Sequence, residues 1–170
     1  MMAKKWFVIY CKSREEQRAV ENLQQQGIDS FFPKISKEKI LRGKKSIIQE
    51  ALFPSYLFVF IDPKDAAFSS IQSTRGVLDF IRFGAKIAQV NIDLIEKLKN
   101  ICASNNALQS LPEQFLSYGD SVEILHGPFQ GLSAIFSQTD GLERSVLLLN
   151  VLNQENKISF RNSDINKLEH

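Results

Sequence analysis

Leu52-Phe53-Pro54-Ser55-Tyr56-Leu57-Phe58-Val59-Phe60 is the stretch on which the fold turns. It is an apolar run entered through a proline, which cannot donate to a sheet ladder and so belongs at a strand's start or edge. From Tyr56 onward the side chains alternate. Tyr56, Phe58 and Phe60 face one way, while Leu57, Val59 and Ile61 face the other. Both faces are apolar, so the strand is either buried on two sides or keeps one face for a partner.

The flanking segments supply the rest of a compact α+β unit. Trp6 to Cys11 reads as a strand, and Arg14 to Gln26 as an amphipathic helix with Ala19, Val20 and Leu23 on its apolar stripe. Ser13 is its expected N-cap and Gly27 its expected stop. Ile28 to Pro33 reads as a short strand. Residues 35–48 read as a hairpin with the basic tip Arg42-Gly43-Lys44-Lys45. Asp62-Pro63 ends the central strand and starts a short helix through Ile71. Val77 to Phe83 reads as a strand, and Ile92 to Cys102 as a helix with Ile95, Leu98, Ile101 and Cys102 at helical spacing.

Residues 103–117 have no apolar period and read as a linker. The last fifty residues fit two folds. Val122-Glu123-Ile124, Ala134-Ile135-Phe136, Val146 to Leu152 and Ile158-Ser159-Phe160 read as strands, punctuated by Gly119-Asp120, Gly127-Pro128 and Asp140-Gly141. That describes a small five-stranded barrel. Leu142, Val146, Leu149 and Leu152 also share one helical face, as do Leu125, Phe129, Leu132 and Phe136. Gly127, Gly131 and Pro128 oppose the helical reading, at about 1 kcal/mol per glycine and 3 for the proline, so local rules favour the barrel.

Composition narrows the function. The chain has 170 residues and a formal charge of +2. Residues 1–100 carry 17 Lys/Arg against 11 Asp/Glu, net +6, and residues 101–170 carry 4 against 8, net −4. Two units with different partners are expected. No apolar run approaches the ~20 residues that span a bilayer. The N-terminal segment lacks a small-residue cleavage site and is read as a first strand, so a cytoplasmic location is expected. Leu168-Glu169-His170 is compatible with a tag scar. Cys11 and Cys102 are isolated and read as small buried hydrophobes, and no metal site or cofactor is expected. An enzyme is not expected either. Asp62, Asp65, Glu15 and Glu16 stand at helix starts, where acidic residues are ordinary, and there is no glycine-rich phosphate loop.

Several strings resemble the NusG family of transcription elongation factors. They are Trp6 with Tyr10, Phe53-Pro54-Ser55-Tyr56-Leu57, Arg75-Gly76-Val77, Gly119-Asp120-Ser121-Val122 and Gly127-Pro128-Phe129-Gln130-Gly131, the last similar to a KOW motif. Tyr10-Cys11-Lys12, Gln17-Arg18-Ala19, Glu38-Lys39-Ile40, Phe80-Ile81-Arg82-Phe83 and Leu147-Leu148-Leu149-Asn150 resemble the operon-specific, RfaH-type branch. The resemblance implies three parts: a NusG-type domain over 1–103, a linker over 104–117 and a fold-switching KOW-type domain over 118–170. The last would be an α-helical hairpin when autoinhibited and a five-stranded β-barrel when released.

The resemblance also implies partners and sites. The expected partners are RNA polymerase (β′ clamp helices and β subunit), the non-template single-stranded DNA of the elongation complex, and a small-subunit ribosomal protein bound by the released C-terminal domain. A monomer without membrane contact is expected. Lys12, Arg18, Asn22, Thr74 and Arg75 match DNA-contacting positions, and Arg42, Lys44 and Lys45 would touch upstream DNA backbone. Phe53, Tyr56, Phe58, Val77 and Phe83 would form the polymerase-binding patch, and Ser69 and Ser70 stand where the branch has hydroxyls that meet the β subunit. Phe129, Phe136, Leu147 and Leu148 would cover the patch in the closed state. Glu50 and Arg144 match an interdomain salt bridge, worth about 0–1 kcal/mol if exposed. Pro128 falls within the expected hairpin's first helix and would kink it. A constitutive NusG-type factor and an RNA- or ribosome-binding KOW protein are the alternative readings.

Overall fold

The computed structural model describes residues 3–103 and 140–153. Its centre is the pair β1 (Lys5–Cys11) and β5 (Tyr56–Ile61), antiparallel, with Trp6 opposite Phe60 and Tyr10 opposite Tyr56. β2 (Asp29–Phe31) lies outside β5. On the other side of β1, β6 (Val77–Phe80) pairs with its second half and β9 (Gln89–Val90) with its first. The order is β2-β5-β1-β6, with β9 beside β6 on β1.

The alternation in β5 sorts the core into two clusters. Phe58 joins Trp6, Val8 and Phe53 on one face, with Tyr56 and Phe60 packed against them. Leu57, Val59 and Ile61 join Phe7, Ile9 and Cys11 on the other. Both faces are therefore covered. The Leu57 face takes Ala19 and Leu23 of α1 (Glu16–Gln25). The Phe58 face takes Leu94, Ile95, Leu98 and Ile101 of α2 (Ile92–Ala103), together with Leu148, Val151 and Leu152 from a helix, α3, over residues 141–153.

Local chemistry explains most boundaries. α1 stops at Gly27, whose φ is +75°. The Gly27 N–H donates to Gln24 O and the Ile28 N–H to Leu23 O, both at 3.0 Å. This is a Schellman motif, closed by Ile28 and Leu23 in one cluster. The other end departs from expectation. Ser13 is not the N-cap: the helix starts at Glu16, Glu15 precedes it without a side-chain cap, and Glu16 Oε1 reaches back to the Arg14 N–H at 2.8 Å. β3 (Lys34–Leu41) and β4 (Lys44–Ala51) form a separate ribbon. Arg42 and Gly43 both have positive φ, 54° and 78°, as a two-residue primed turn requires.

Three further expectations are corrected. The segment after Asp62 forms two short 3₁₀ turns, Ala66–Phe68 and Ile71–Ser73, rather than one helix. The strand expected over Val77 to Phe83 breaks at Ile81, whose N–H turns to Val8 O. Arg82–Phe83 (β7) then pairs with Lys86–Ile87 (β8) in a second ribbon. Asp140 is an N-cap rather than part of a turn, accepting the Leu142 N–H at 3.0 Å. The boundary of the C-terminal domain, and the segments holding Phe129, Phe136 and Pro128, lie outside the described residues.

Asp62 ties the start of the chain to the end of β5. It is 4% exposed, and its carboxylate accepts the Lys64 N–H at 2.9 Å and the Ala3 N–H at 2.7 Å. Those bonds, Lys64's foremost, hold its carboxyl below the usual carboxylate value. A folded value below the unfolded one gives stability that is complete above about pH 4 and is lost as pH falls through the folded value. Asp62→Asn is expected to flatten the acid limb of stability against pH below about pH 4. Denaturant titrations through that range check it, and an unaltered limb would remove Asp62 from the acid response.

Candidate functional site: a cationic loop surface and a covered apolar patch

The first surface is built where the loop before β6 crosses α1. Gly76 is the crossing point. A Cβ there would lie 2.8 Å from Glu15 O and 3.0 Å from Ala19 N, so only glycine lets the two backbones meet. The Lys12 N–H donates to Gly76 O at 2.9 Å, and Asn22 Nδ2 reaches Arg75 O at 3.4 Å and Arg18 O at 2.9 Å. Gln26 Nε2 donates to Thr74 Oγ1 at 2.9 Å, and Thr74 Oγ1 donates to Ser70 O at 3.0 Å. These bonds bring the end of β1, the exposed side of α1 and residues 70–76 onto one surface.

Lys12, Arg18 and Arg75 are exposed there. Arg18 is held by Glu15 at 2.9 Å, whereas among the described residues Lys12 and Arg75 have no ion-pair partner. Such cations can neutralise phosphates, and Arg75 can clasp or stack on a base. The amide of Asn22 is engaged with backbone carbonyls. Thr74 is 6% exposed with its hydroxyl used in both directions, so it supports the loop rather than facing outward. Ser69 is exposed, and Ser70 lies 2.8 Å from Gln26 Oε1. Gln26 carries no local sequence pattern that would mark it, because its two partners in the loop, Thr74 and Ser70, are more than 40 residues away.

Arg42, Lys44 and Lys45 are exposed at the β3–β4 tip, apart from this surface in the fold.

The second surface is apolar and covered. Phe53 and Phe58 are fully buried, Tyr56 and Phe83 are half-buried, and all four belong to the cluster on which α3 sits. Val77 does not join them. It is 6% exposed in the opposite cluster, because β6 turns its first side chain toward α1. Tyr10 does join: it is the cross-strand partner of Tyr56, with ring centroids 5.3 Å apart, and it is 39% exposed. Its match to Tyr56 depends on the β1–β5 register, which the alternation alone leaves open. Desolvation first, then Tyr10, raises the Tyr56 phenol above its ordinary value.

α3 is fixed at its first turn. Arg144 is fully buried, its Nε donating to Leu52 O at 2.9 Å and its Nη2 to Ala51 O at 3.3 Å. Glu50 Oε2 lies 3.9 Å from Nη2 and 3.7 Å from Lys37 Nζ, and it accepts no hydrogen bond. The expected interdomain pair is thus built on an enclosed arginine that also donates to two backbone carbonyls. Desolvation pulls the guanidinium below its ordinary value, against the pull of Glu50 and Asp140. Ser145 Oγ reaches Gly141 O at 3.1 Å and Pro54 O at 3.4 Å. Gly141 packs so closely on Pro54 that a Cβ would stand 2.7 Å from Cγ. One turn further on, Leu148, Val151 and Leu152 are buried and Leu147 is half-buried. Full burial of each Leu is worth about 1.5–3 kcal/mol.

Burial pushes the Cys11 thiol up to about 12 and the Cys102 thiol up to about 11, the reverse of what a reactive thiolate needs. Among the described residues no group of His, Cys, Asp and Glu could hold a metal ion, and no helix is long and apolar enough to cross a membrane.

A family model described as NusG, transcription termination factor nusG, matches residues 4–99. The transcription termination/antitermination protein NusG of Campylobacter jejuni is 30% identical over 164 residues, covering 89% of each chain. That of Bacillus subtilis is 22% identical over 177 residues, covering 98% of this chain and 100% of its own. A solved structure of Thermotoga maritima NusG aligns at a TM-score of 0.43 with 24% identity, over 56% of this chain and 55% of that one. The chain belongs to the NusG family, a family of transcription factors and not of enzymes.

Proposed function

We propose that this chain is a transcription termination/antitermination factor that docks on RNA polymerase through the Tyr10–Tyr56 patch. The observation that carries this is an aromatic cluster, Tyr10, Phe53, Tyr56 and Phe58, partly exposed at one end and covered elsewhere by a helix that arrives from 90 residues away. Aromatic residues dominate protein–protein hot spots. The cationic surface of Lys12, Arg18 and Arg75 is the contact to the exposed non-template strand, with Asn22 and Thr74 shaping it. The β3–β4 tip contacts upstream DNA, and Ser69 and Ser70 face the β subunit. The factor acts in the cytoplasm as a monomer.

Two readings divide at the C-terminal part. A general NusG factor is favoured by the names of its relatives, NusG proteins that this chain matches over most of their length. An operon-specific, RfaH-like factor is favoured by α3, whose placement over Phe53 and Phe58 blocks the patch. In that reading the C-terminal part refolds on release into a KOW barrel and recruits the ribosome.

Binding of labelled full-length protein to core RNA polymerase tests the docking reading. Tyr56→Ala is expected to weaken binding at least tenfold, as loss of an aromatic anchor does. Unaltered binding would sink the patch. Amide hydrogen exchange of residues 142–152 in the wild-type chain then separates the two finer readings. Protection characteristic of a docked helix supports the RfaH-like one, and exchange at free-peptide rates supports the general one.

A further inference from the structure

Among the described residues no third strand joins the β3–β4 ribbon. Its two-residue turn at Arg42-Gly43 sets which backbone groups bond across the ribbon and which point away from it. Counting back from Leu41 opposite Lys44, the bonded pairs are Leu41 with Lys44, Lys39 with Ser46 and Lys37 with Ile48. Glu38 and Ile40 therefore aim their N–H and C=O groups outward from the free edge of β3. The side chains are sorted too. Ile40, 72% exposed, and Ile47, 73% exposed, are diagonal neighbours on one face, where Glu38 and Lys45 balance each other in charge. Lys37, Lys39 and Lys44 stand on the opposite face, Lys37 at 3.7 Å from Glu50. Lysines guard an edge against chance pairing, but guarding does not call for exposed isoleucines on the other face.

We propose that the outer edge of β3 takes up an extended segment of a partner protein as an added antiparallel strand, one in which acidic residues alternate with apolar ones. The alternation follows from the sorting of β3 itself. A strand laid beside β3 bonds to Glu38 and Ile40 through residues whose side chains fall on the Ile40 face. Its intervening residues stand opposite Lys37 and Lys39 in the non-hydrogen-bonded pairs, where the Cα atoms come within about 4.5 Å and side chains approach most closely. Apolar residues at the first positions pack on Ile40, and acidic residues at the second meet the lysines. Charge complementarity selects this occupant. Lys39 has no ion-pair partner among the described residues. A second copy of β3 laid antiparallel would set lysine against lysine, which repels. Main-chain bonds supply the affinity of such an added strand and the alternate side chains its selectivity. Arg42, Lys44 and Lys45 belong to the turn and to β4, so this edge is separate from the DNA contact proposed for the tip.

The test is fluorescence anisotropy of the full chain with a labelled eight-residue synthetic peptide, the length of β3, in which glutamate alternates with valine. Lys39→Glu is expected to weaken binding about fivefold, and a lysine–valine peptide should bind that variant more tightly than it binds the wild type. Modified peptides test the pairing with the protein untouched. N-methylation of the valines removes the N–H groups that face β3 and should weaken binding at least tenfold, whereas N-methylation of the glutamates, whose N–H groups point away, should leave it near that of the parent peptide. Amide hydrogen exchange locates the strand. Exchange at Glu38 and Ile40 should slow in the complex, while Lys37 and Lys39, already bonded to β4, change little. No peptide binding at low salt would overturn the proposal, as would equal losses for the two methylated peptides. Equal binding of a glutamate–serine peptide would overturn it too, since the Ile40 face would then be idle. So would binding that depends on Lys39 but leaves Glu38 and Ile40 exchanging as in the free chain, which is charge attraction without pairing.

Discussion

Arg144→Ala is expected to release α3 from the aromatic patch. The guanidinium is fully buried and serves Leu52 O and Ala51 O directly. Its removal strands both carbonyls and leaves Glu50 Oε2, among the described residues, with Lys37 at 3.7 Å. Breaking a fully buried charged contact costs about 3–5 kcal/mol. Here the Glu50 side chain keeps 28% of its exposure, so a smaller cost of about 2 kcal/mol is apt, close to a thirtyfold shift toward the undocked helix. Hydrogen exchange at amides 142–152 should accelerate by that factor, and apparent affinity for polymerase should rise with it. Undiminished protection in the variant would show that the leucines alone hold the helix.

The geometry also ranks the partners of Arg144. The carboxylate distance of 3.9 Å is at the limit of an ion pair, and the oxygen concerned accepts no hydrogen bond. Glu50→Gln should therefore cost well under half of what Arg144→Ala costs. Arg144→Lys should behave nearly like alanine, because one ammonium cannot serve two carbonyls with the guanidinium's fixed fork. Among the described residues the latch is thus chiefly a backbone contact. It resides in the Ala51–Leu52 peptides at the mouth of β5, where the chain turns through Pro54 and Ser55, the latter at φ 74°.

The particular residues show why some of this was legible and some not. β5 was legible because alternation with period two survives burial on both faces, and Tyr56 to Ile61 obeys it residue by residue. The end of α1 was legible because a glycine at C′ has a fixed local geometry. The start of α1 was not: Ser13 has the chemistry of a cap, but Arg14 takes a φ of 65° and the helix starts two residues further on. Val146 to Leu152 fitted either period, since an apolar run this dense satisfies both. The described helix bonds to Leu52 and Pro54, some 90 residues earlier in the chain, a contact no local rule contains. Val77 was misassigned to the patch because loop geometry, not sequence pattern, decides which face the first residue of β6 meets. The burial of Arg144 was not legible because the carbonyls of Ala51 and Leu52 that it serves leave no trace in a sequence.

Gly76→Ala is expected to be the most destabilising substitution on the cationic surface, and Gly43→Ala provides its control. Both glycines have positive φ, +94° and +78°. An L-residue in that region costs about 1–2 kcal/mol. At Gly43 nothing lies within 4 Å of an added Cβ, so that cost is the whole effect. At Gly76 the Cβ would meet Glu15 O at 2.8 Å, Ala19 N at 3.0 Å and Ala19 Cβ at 3.1 Å. Two of the three are backbone atoms of α1 and its approach, and they cannot swing aside as a side chain would. Overpacking of this kind adds about 1–3 kcal/mol. The loop must lift from the helix, which stretches Lys12 N–H from Gly76 O and Asn22 from Arg75 O. Thermal unfolding should fall by roughly 10 °C or more in Gly76→Ala and by about half that or less in Gly43→Ala. Affinity for single-stranded DNA should fall in the first variant only, since Arg75 moves away from Lys12 while the ribbon tip is unaffected. Equal, small losses in both variants would mean that residues 74–76 are not held against α1, and the convergence of Lys12, Arg18 and Arg75 would lose its structural basis.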